Sequence, residues 1–447
     1  MIEADRLPGL AAGLRLAAHR FGTPIVLTDA AELARSAEEL TRAFPDPWLR
    51  QYSVKANDVP AIVGRLGALG LGANVVSRGE WAIARRAGVP NGRITLEGVG
   101  KTEADLRAAI QATRQRDPVL WTAIESADEA AALARLAARV VRRDELRLDV
   151  LLRFNPAVEP ETLPQLAVGA ESSKFGLAAD ELAAAIEAGG GPDGPLRWRG
   201  IQLHVGSQLG AIDAWRDGVK RALAIVGLLG GTNPEFDTLD LGGGFPVFEV
   251  GSPAPRPERF ARELTELLAA LPADRRPKRL AVEPGRFLVA RAGYLVARVL
   301  HVRQRNGPMV VLDAGMTELI RPALYGARHG VVALTSGLRP WTPDAAAAPG
   351  VETTLGRETG LGEGPTPGDG LASTAVEGPI CESTDSFGRH DLPPLVRGDL
   401  VVIRDAGAYG ASLGSTYNGR PRAIQVILEA DGGLTVARRR GGGATIR

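Results

Sequence analysis

The residue best placed for covalent chemistry is Lys55. In the stretch Gln51-Tyr52-Ser53-Val54-Lys55-Ala56-Asn57-Asp58 it stands at the end of a short β-prone run, just before turn-forming residues. A lysine held at the mouth of a strand and partly desolvated can lose its proton near neutral pH and attack an aldehyde. Lysines in turns are also commonly solvated and inert. The octapeptide therefore leaves both readings open, and other residues must decide between them.

Three further clusters carry residue types suited to a bound cofactor. Leu241-Gly242-Gly243-Gly244-Phe245-Pro246 follows an apolar run. Consecutive glycines let backbone N–H groups approach an anion, or simply make a tight turn. In Val282-Glu283-Pro284-Gly285-Arg286 the acid can keep a pyridinium nitrogen protonated and the arginine can pair with a phosphate or carboxylate. A salt bridge is the alternative. Leu203-His204-Val205-Gly206-Ser207-Gln208 offers a ring that could stack on a flat cofactor or be a buried structural histidine. The other four histidines, His19, His301, His329 and His390, show no metal-ligand spacing to His204, so no metal site is expected. Three later stretches also concentrate polar residues: Asp313 to Tyr325, Gly378 to Asp385, and Asp405 to Gly410 with Tyr417 to Arg422.

The elements that must position these residues alternate in type. Strand-like runs at 23–28, 51–54, 73–76, 94–96, 119–124, 147–154, 198–204, 238–241 and 279–283 are separated by Ala/Leu/Arg-rich stretches at helical spacing. Such alternation argues for βαβ units and a parallel sheet. Lys55, Asn74, Asn155, His204, Gly242 to Gly244 and Glu283 all fall at or near the C-terminal ends of these runs. That is the rim on which a (β/α)8 TIM barrel builds its active site, and it favours the barrel over an open doubly wound sheet. We therefore expect an α/β chain with a barrel at 24–290. After it strands dominate, so 1–23 and 291–447 should form a mainly β domain, with a Gly/Pro-rich insertion at about 336–373.

Composition narrows the class. The chain has 447 residues, 45% hydrophobic and 23% charged, with a formal net charge of +1, which gives no reason to invoke nucleic acid or a membrane surface. One cysteine, Cys381, rules out an internal disulfide framework. The N-terminus lacks a basic region followed by an apolar core, and no run of about 18 apolar residues is present, so a cytoplasmic location is expected.

Lys55, His204, the triple glycine and Glu283-Pro284-Gly285-Arg286, followed by Cys381-Glu382 and Gly407-Ala408-Tyr409, stand in an order that resembles the fold-type III pyridoxal-phosphate decarboxylases, whose barrel is of the alanine-racemase type. Among them the chain is most similar to the diaminopimelate decarboxylase family, over roughly residues 24 to 425. The resemblance implies pyridoxal 5'-phosphate bound covalently to Lys55 with His204 stacked on its ring. Ser207, Gly242, Gly243, Gly244 and Arg286 would surround the phosphate, within loops that include Pro284 and Gly285. Glu283 would face the ring nitrogen, and Tyr409 would touch phosphate and substrate. Cys381, as proton donor, and Glu382, as a binder of the substrate's far ammonium, would come from the partner subunit of a homodimer. Arg286, Arg321 and Tyr325 would hold the distal carboxylate.

A charge argument points the same way. Meso-diaminopimelate carries an ammonium and a second carboxylate at its far end, so its site needs both signs, which Glu382 and Arg321 supply. The implied reaction is decarboxylation to L-lysine, the last step of lysine biosynthesis. A related decarboxylase acting on a siderophore or antibiotic precursor, or a non-catalytic homologue, is the alternative. Two departures stand out: Asn74 replaces the family's usual aspartate, and Thr384 replaces the glycine of Cys-Glu-Ser-Gly-Asp.

Overall fold

The computed structural model describes residues 7–141, 147–160, 162, 167–247, 255–334 and 370–441. The chain divides into two compact units. One is built on Ala34–Val247 and the stretch ending at Leu288, the other on the residues up to Leu33 and those from Val289 onward.

After an N-terminal helix, Leu7–Phe21, comes β1 (Ile25–Asp29). The next eight strands close into a barrel: β2 (Leu49–Ser53), β3 (Gly72–Val75), β4 (Ile94–Leu96), β5 (Trp121–Ile124), β6 (Leu148–Phe154), β7 (Leu196–Leu203), β8 (Thr238–Asp240) and β9 (Arg279–Val282). Every neighbouring pair is parallel, and Arg50 opposite Val282 closes the ring. Both faces of such strands are covered, which explains consecutive buried residues such as Val150, Leu151 and Leu152. Local signals start the intervening helices. Pro60 occupies the first turn of Pro60–Ala68, Ser77 caps Arg78–Arg86, and Thr102 with Asp105 forms a capping box on Glu103–Arg114. Beyond the triple glycine, Phe245 packs edge-on to Phe260, with ring centroids 5.1 Å apart, and Phe260 packs on Trp215 at 5.2 Å. This aromatic row anchors the end of the glycine loop.

The second unit is a nine-stranded sheet of β1 with β10 (Gly293–Gln304), β11 (Pro308–Leu312), β12 (Val331–Ala333), β13 (Ala372–Glu377), β14 (Ser386–Leu392), β15 (Leu400–Ile403), β16 (Ile424–Leu428) and β17 (Leu434–Arg438). β1 lies between β10, antiparallel, and β16, parallel. Helix Leu7–Phe21 buries Leu10, Leu14 and Ala18 against Ile25, Leu27 and Val426. The expected barrel start at residue 24 is thus corrected. The run at 23–28 belongs to the second sheet, because a five-residue strand buried throughout carries no mark of which sheet will cover it. Most of the insertion expected at 336–373 lies outside the described residues, which resume at Gly370, and β13 begins within it.

Candidate active site

In the barrel unit the expected residues converge on one rim. Lys55 lies in a 3-10 turn, Val54–Ala56, directly after β2. The turn carries Lys55 past the end of its strand and leaves it exposed. Its charge still bears on two neighbours: it opposes protonation of His204 and favours ionisation of Glu80. The loop after β9 packs tightly on the same turn. Ser53 donates its hydroxyl to the Glu283 carbonyl at 2.8 Å and its N–H to the Pro284 carbonyl at 3.1 Å. A Cβ at Gly285 would stand only 3.0 Å from Ala56 Cβ, so glycine permits the approach.

Glu283 is buried and held on both oxygens by amide donors. Asn74 Nδ2, from β3, reaches Oε1 at 2.7 Å, and Gln202 Nε2, from β7, reaches Oε2 at 3.1 Å. Gln202 also donates to Glu97 at 3.3 Å. Glu97, Asp240 and Glu283 are all buried, with one carboxyl oxygen of each within 4.8 Å of the others. Burial first, and then the charge of Asp240, push the Glu283 carboxyl up to about 8. Burial and then Glu97 do the same to Asp240, also to about 8, while burial and then Glu283 hold Glu97 well above the usual carboxylate range. Carboxyls so close could take a cation, but the amide N–H groups aimed at both Glu283 oxygens would repel one there. Shared protons suit the cluster better.

His204 follows β7 and accepts the Gly243 N–H on Nδ1 at 3.1 Å, which puts the ring proton of the neutral form on Nε2. Burial, then the charges of Lys55 and Arg153, hold its pKa well below the ordinary value, so the ring is neutral. The Gly242 N–H is donated to Asp240 at 2.9 Å. Two of the three glycine amides expected to surround an anion are therefore committed within the protein. Close approach also demands these glycines: a Cβ at Gly242, Gly243 or Gly244 would lie 2.4, 2.5 or 2.3 Å from a backbone oxygen of Leu203, Glu283 or Gly206. Arg286 is buried and donates to Ser207 Oγ at 3.2 Å, bringing together two residues expected at an anion.

In the second unit, Arg321 is buried and donates to His329 Nε2 at 3.0 Å, and His329 Nδ1 bonds the Arg404 carbonyl. Tyr325 ends the same short helix, Arg321–Tyr325. Tyr409 holds a left-handed φ of 63°, uncommon for a non-glycine residue and often found at functional sites. Cys381 and Glu382 are exposed. Tyr417 donates its hydroxyl to Glu382 at 2.8 Å, and Asn418 approaches Cys381 Sγ at 3.8 Å. Asp385 ties this loop together, accepting the Ile380 N–H at 2.6 Å and the Met316 N–H at 2.5 Å.

Sequence reasoning missed Glu97, Gln202, Asp240 and the buried Arg153–Glu125 pair, whose nearest atoms are 2.7 Å apart. A signal existed: each is a polar residue at or directly after the C-terminal end of a barrel strand.

Comparison with known proteins agrees with this geometry. The family model for the pyridoxal-binding domain of pyridoxal-dependent decarboxylases matches residues 30–290. Diaminopimelate decarboxylase of Aquifex aeolicus is 31% identical over 430 residues, covering 96% of this chain and 91% of that protein. The Pseudomonas aeruginosa enzyme of the same name is 34% identical over 428 residues, covering 94% and 91%. The crystal structure of Helicobacter pylori diaminopimelate decarboxylase in complex with L-lysine superposes with a TM-score of 0.81 at 26% identity, covering 96% of each chain. This chain belongs to the pyridoxal-dependent decarboxylases, and diaminopimelate decarboxylases are its relatives over nearly its whole length.

Proposed function

We propose that the chain is a pyridoxal-5'-phosphate-dependent carboxy-lyase that converts meso-2,6-diaminopimelate to L-lysine and carbon dioxide. The observation that carries this reading is the buried Glu283 carboxyl, aimed and held by two amide donors on the rim that also bears Lys55 and His204. A buried acid needs a positive partner to ionise, and a pyridinium nitrogen is such a partner. A neutral His204 ring and a buried Arg286 beside the Ser207 hydroxyl suit the cofactor's flat face and its phosphate.

When bound, the cofactor supplies a sink for the electron pair left as carbon dioxide departs. The rest is the work of this chain's residues. Lys55 supplies the anchoring amine, and Glu283 stabilises positive charge at the ring nitrogen. Ser207, Arg286, Gly242 to Gly244 and Tyr409 bind the phosphate, with Gly244 carrying more of the amide contribution than its two neighbours. Arg286, Arg321 and Tyr325 bind the distal carboxylate, and Glu382, steadied by Tyr417, accepts the distal ammonium. Cys381 Sγ delivers the proton that replaces the lost carboxylate. Because Cys381 and Glu382 are exposed on their own chain, they are suited to serve a second copy, and the working unit is a homodimer with shared sites. Among the described residues no helix is long and apolar enough to cross a membrane.

The test is to incubate the purified protein with pyridoxal phosphate and a panel of diamino acids, and to assay the released amine and carbon dioxide. Lysine from meso-diaminopimelate is the expected product. Turnover of lysine or ornithine in its place would overturn the substrate assignment. A visible cofactor band that is absent in wild type, or unchanged in Lys55→Ala, would overturn the cofactor assignment.

A further inference from the structure

Asp240 belongs to none of the expected site residues, yet it lies beside Glu283. Its strand, β8, neighbours β9 in the barrel. One of its oxygens accepts the Gly242 N–H at 2.9 Å. The other, Oδ2, is buried with no donor among the described groups, as is Glu97 Oε1. A buried carboxyl oxygen without a donor is costly, and a proton shared between neighbouring carboxyls removes that cost. Asn74 and Gln202 both donate to Glu283, and Gln202 also reaches Glu97 Oε2, but neither is bonded to Asp240 Oδ2 or Glu97 Oε1.

We propose that Asp240 is a positioning residue for Glu283, sharing protons with it and with Glu97, and that Asn74 keeps the cluster at three acids by presenting a donor where an aspartate would add a fourth. The role of Glu283 rests on the functional reading above; the shared proton does not. Positive charge arriving beside Glu283 favours ionisation there: where Asp240 or Glu97 is the ionised member, the Glu283 proton passes to it, and a fully protonated cluster releases that proton to solvent.

The charged and titratable groups around the cluster can be named strand by strand. β2 leads to Lys55, β3 brings the neutral Asn74 and leads to Glu80, and β4 leads to Glu97 itself. β5 leads to Glu125, which is paired with Arg153 of β6, and β7 leads to the neutral His204. Arg153 favours ionisation of Glu97, yet burial and Glu283 outweigh it.

The sign follows from linkage. Acids whose folded-state pKa is raised hold protons more tightly when folded, so the stabilisation is full below their unfolded pKa and is lost as pH rises through about 8. The experiment is thermal unfolding of the cofactor-free protein between pH 5 and 9. Wild type should lose Tm across this range, Asp240→Asn should lose less than wild type, and Asn74→Asp should lose more. Glu97→Gln provides a second removal should Asp240→Asn not fold. Parallel Tm–pH curves for wild type and the variants would overturn the proposal. The same samples titrated with pyridoxal phosphate separate the two claims. If wild type shows no visible band, the cofactor reading fails while the slopes still test the shared proton. Equal slopes in a protein that binds the cofactor sink only the shared proton.

Discussion

Replacing Gly243 with alanine tests whether the glycine loop is there for the protein or for an anion. The added methyl would sit 2.5 Å from the Glu283 carbonyl oxygen and 3.2 Å from its carbon, both backbone atoms. A relaxed carbon–oxygen contact is about 3.3 Å or more, so the loops after β8 and β9 must part by roughly 0.8 Å. Gly243 is not in the left-handed region, so the clash alone decides the outcome. Overpacking of this kind costs about 1–3 kcal/mol. Pulling the Gly243 N–H away from His204 Nδ1, now at 3.1 Å, removes about 1 kcal/mol more. The expected loss is about 2–4 kcal/mol, read as a lower urea midpoint for the cofactor-free protein. Gly100→Ala is the control, since a Cβ there meets nothing within 4 Å. If Gly243→Ala unfolds at the wild-type midpoint and only binds pyridoxal phosphate less tightly, the packing argument is wrong and the glycine serves the anion alone.

Two further outcomes are expected. Arg153→Met leaves Glu125 buried without its ion partner and should cost about 3–5 kcal/mol in chemical denaturation, with much of the loss recovered in the double variant carrying Glu125→Gln; a wild-type midpoint for the single variant would show that the pair is unimportant. Mixing Lys55→Ala with Cys381→Ala should restore about a quarter of wild-type activity, because random reassortment gives half hybrids with one intact site each. Activity no higher than that of the parents would place both residues in one chain's site.

How much could be read from the sequence depended on whether a residue's partners were local. The barrel strands were legible because most are β-prone, largely buried runs ended by polar or turn-forming residues. Lys55, His204, Glu283 and Arg286 were legible because they stand in those ends. By contrast β14, Ser386–Leu392, mixes exposed glycine, arginine and aspartate with two buried apolar residues, and its strand character comes from pairing with β13. The Glu97–Asp240–Glu283 cluster is assembled from residues more than forty positions apart, and a single acid at a strand end looks alike whether its partner is a base, an amide or another acid. The glycine loop follows β8, but which of its amides are taken up within the protein depends on Asp240 and His204, and no spacing rule supplies that.

The place of β1 between β10 and β16 also orders events in time. A ribosome that has released the first strand must add nearly four hundred residues before Ile424–Leu428, its parallel neighbour, emerges. The eight barrel strands, from Leu49 to Val282, are complete well before that. The barrel can therefore close while the chain is still growing, whereas β1 is flanked on both sides only once Ile424–Leu428 has been made. Loss of the residues from Ile424 onward would strip one edge from β1.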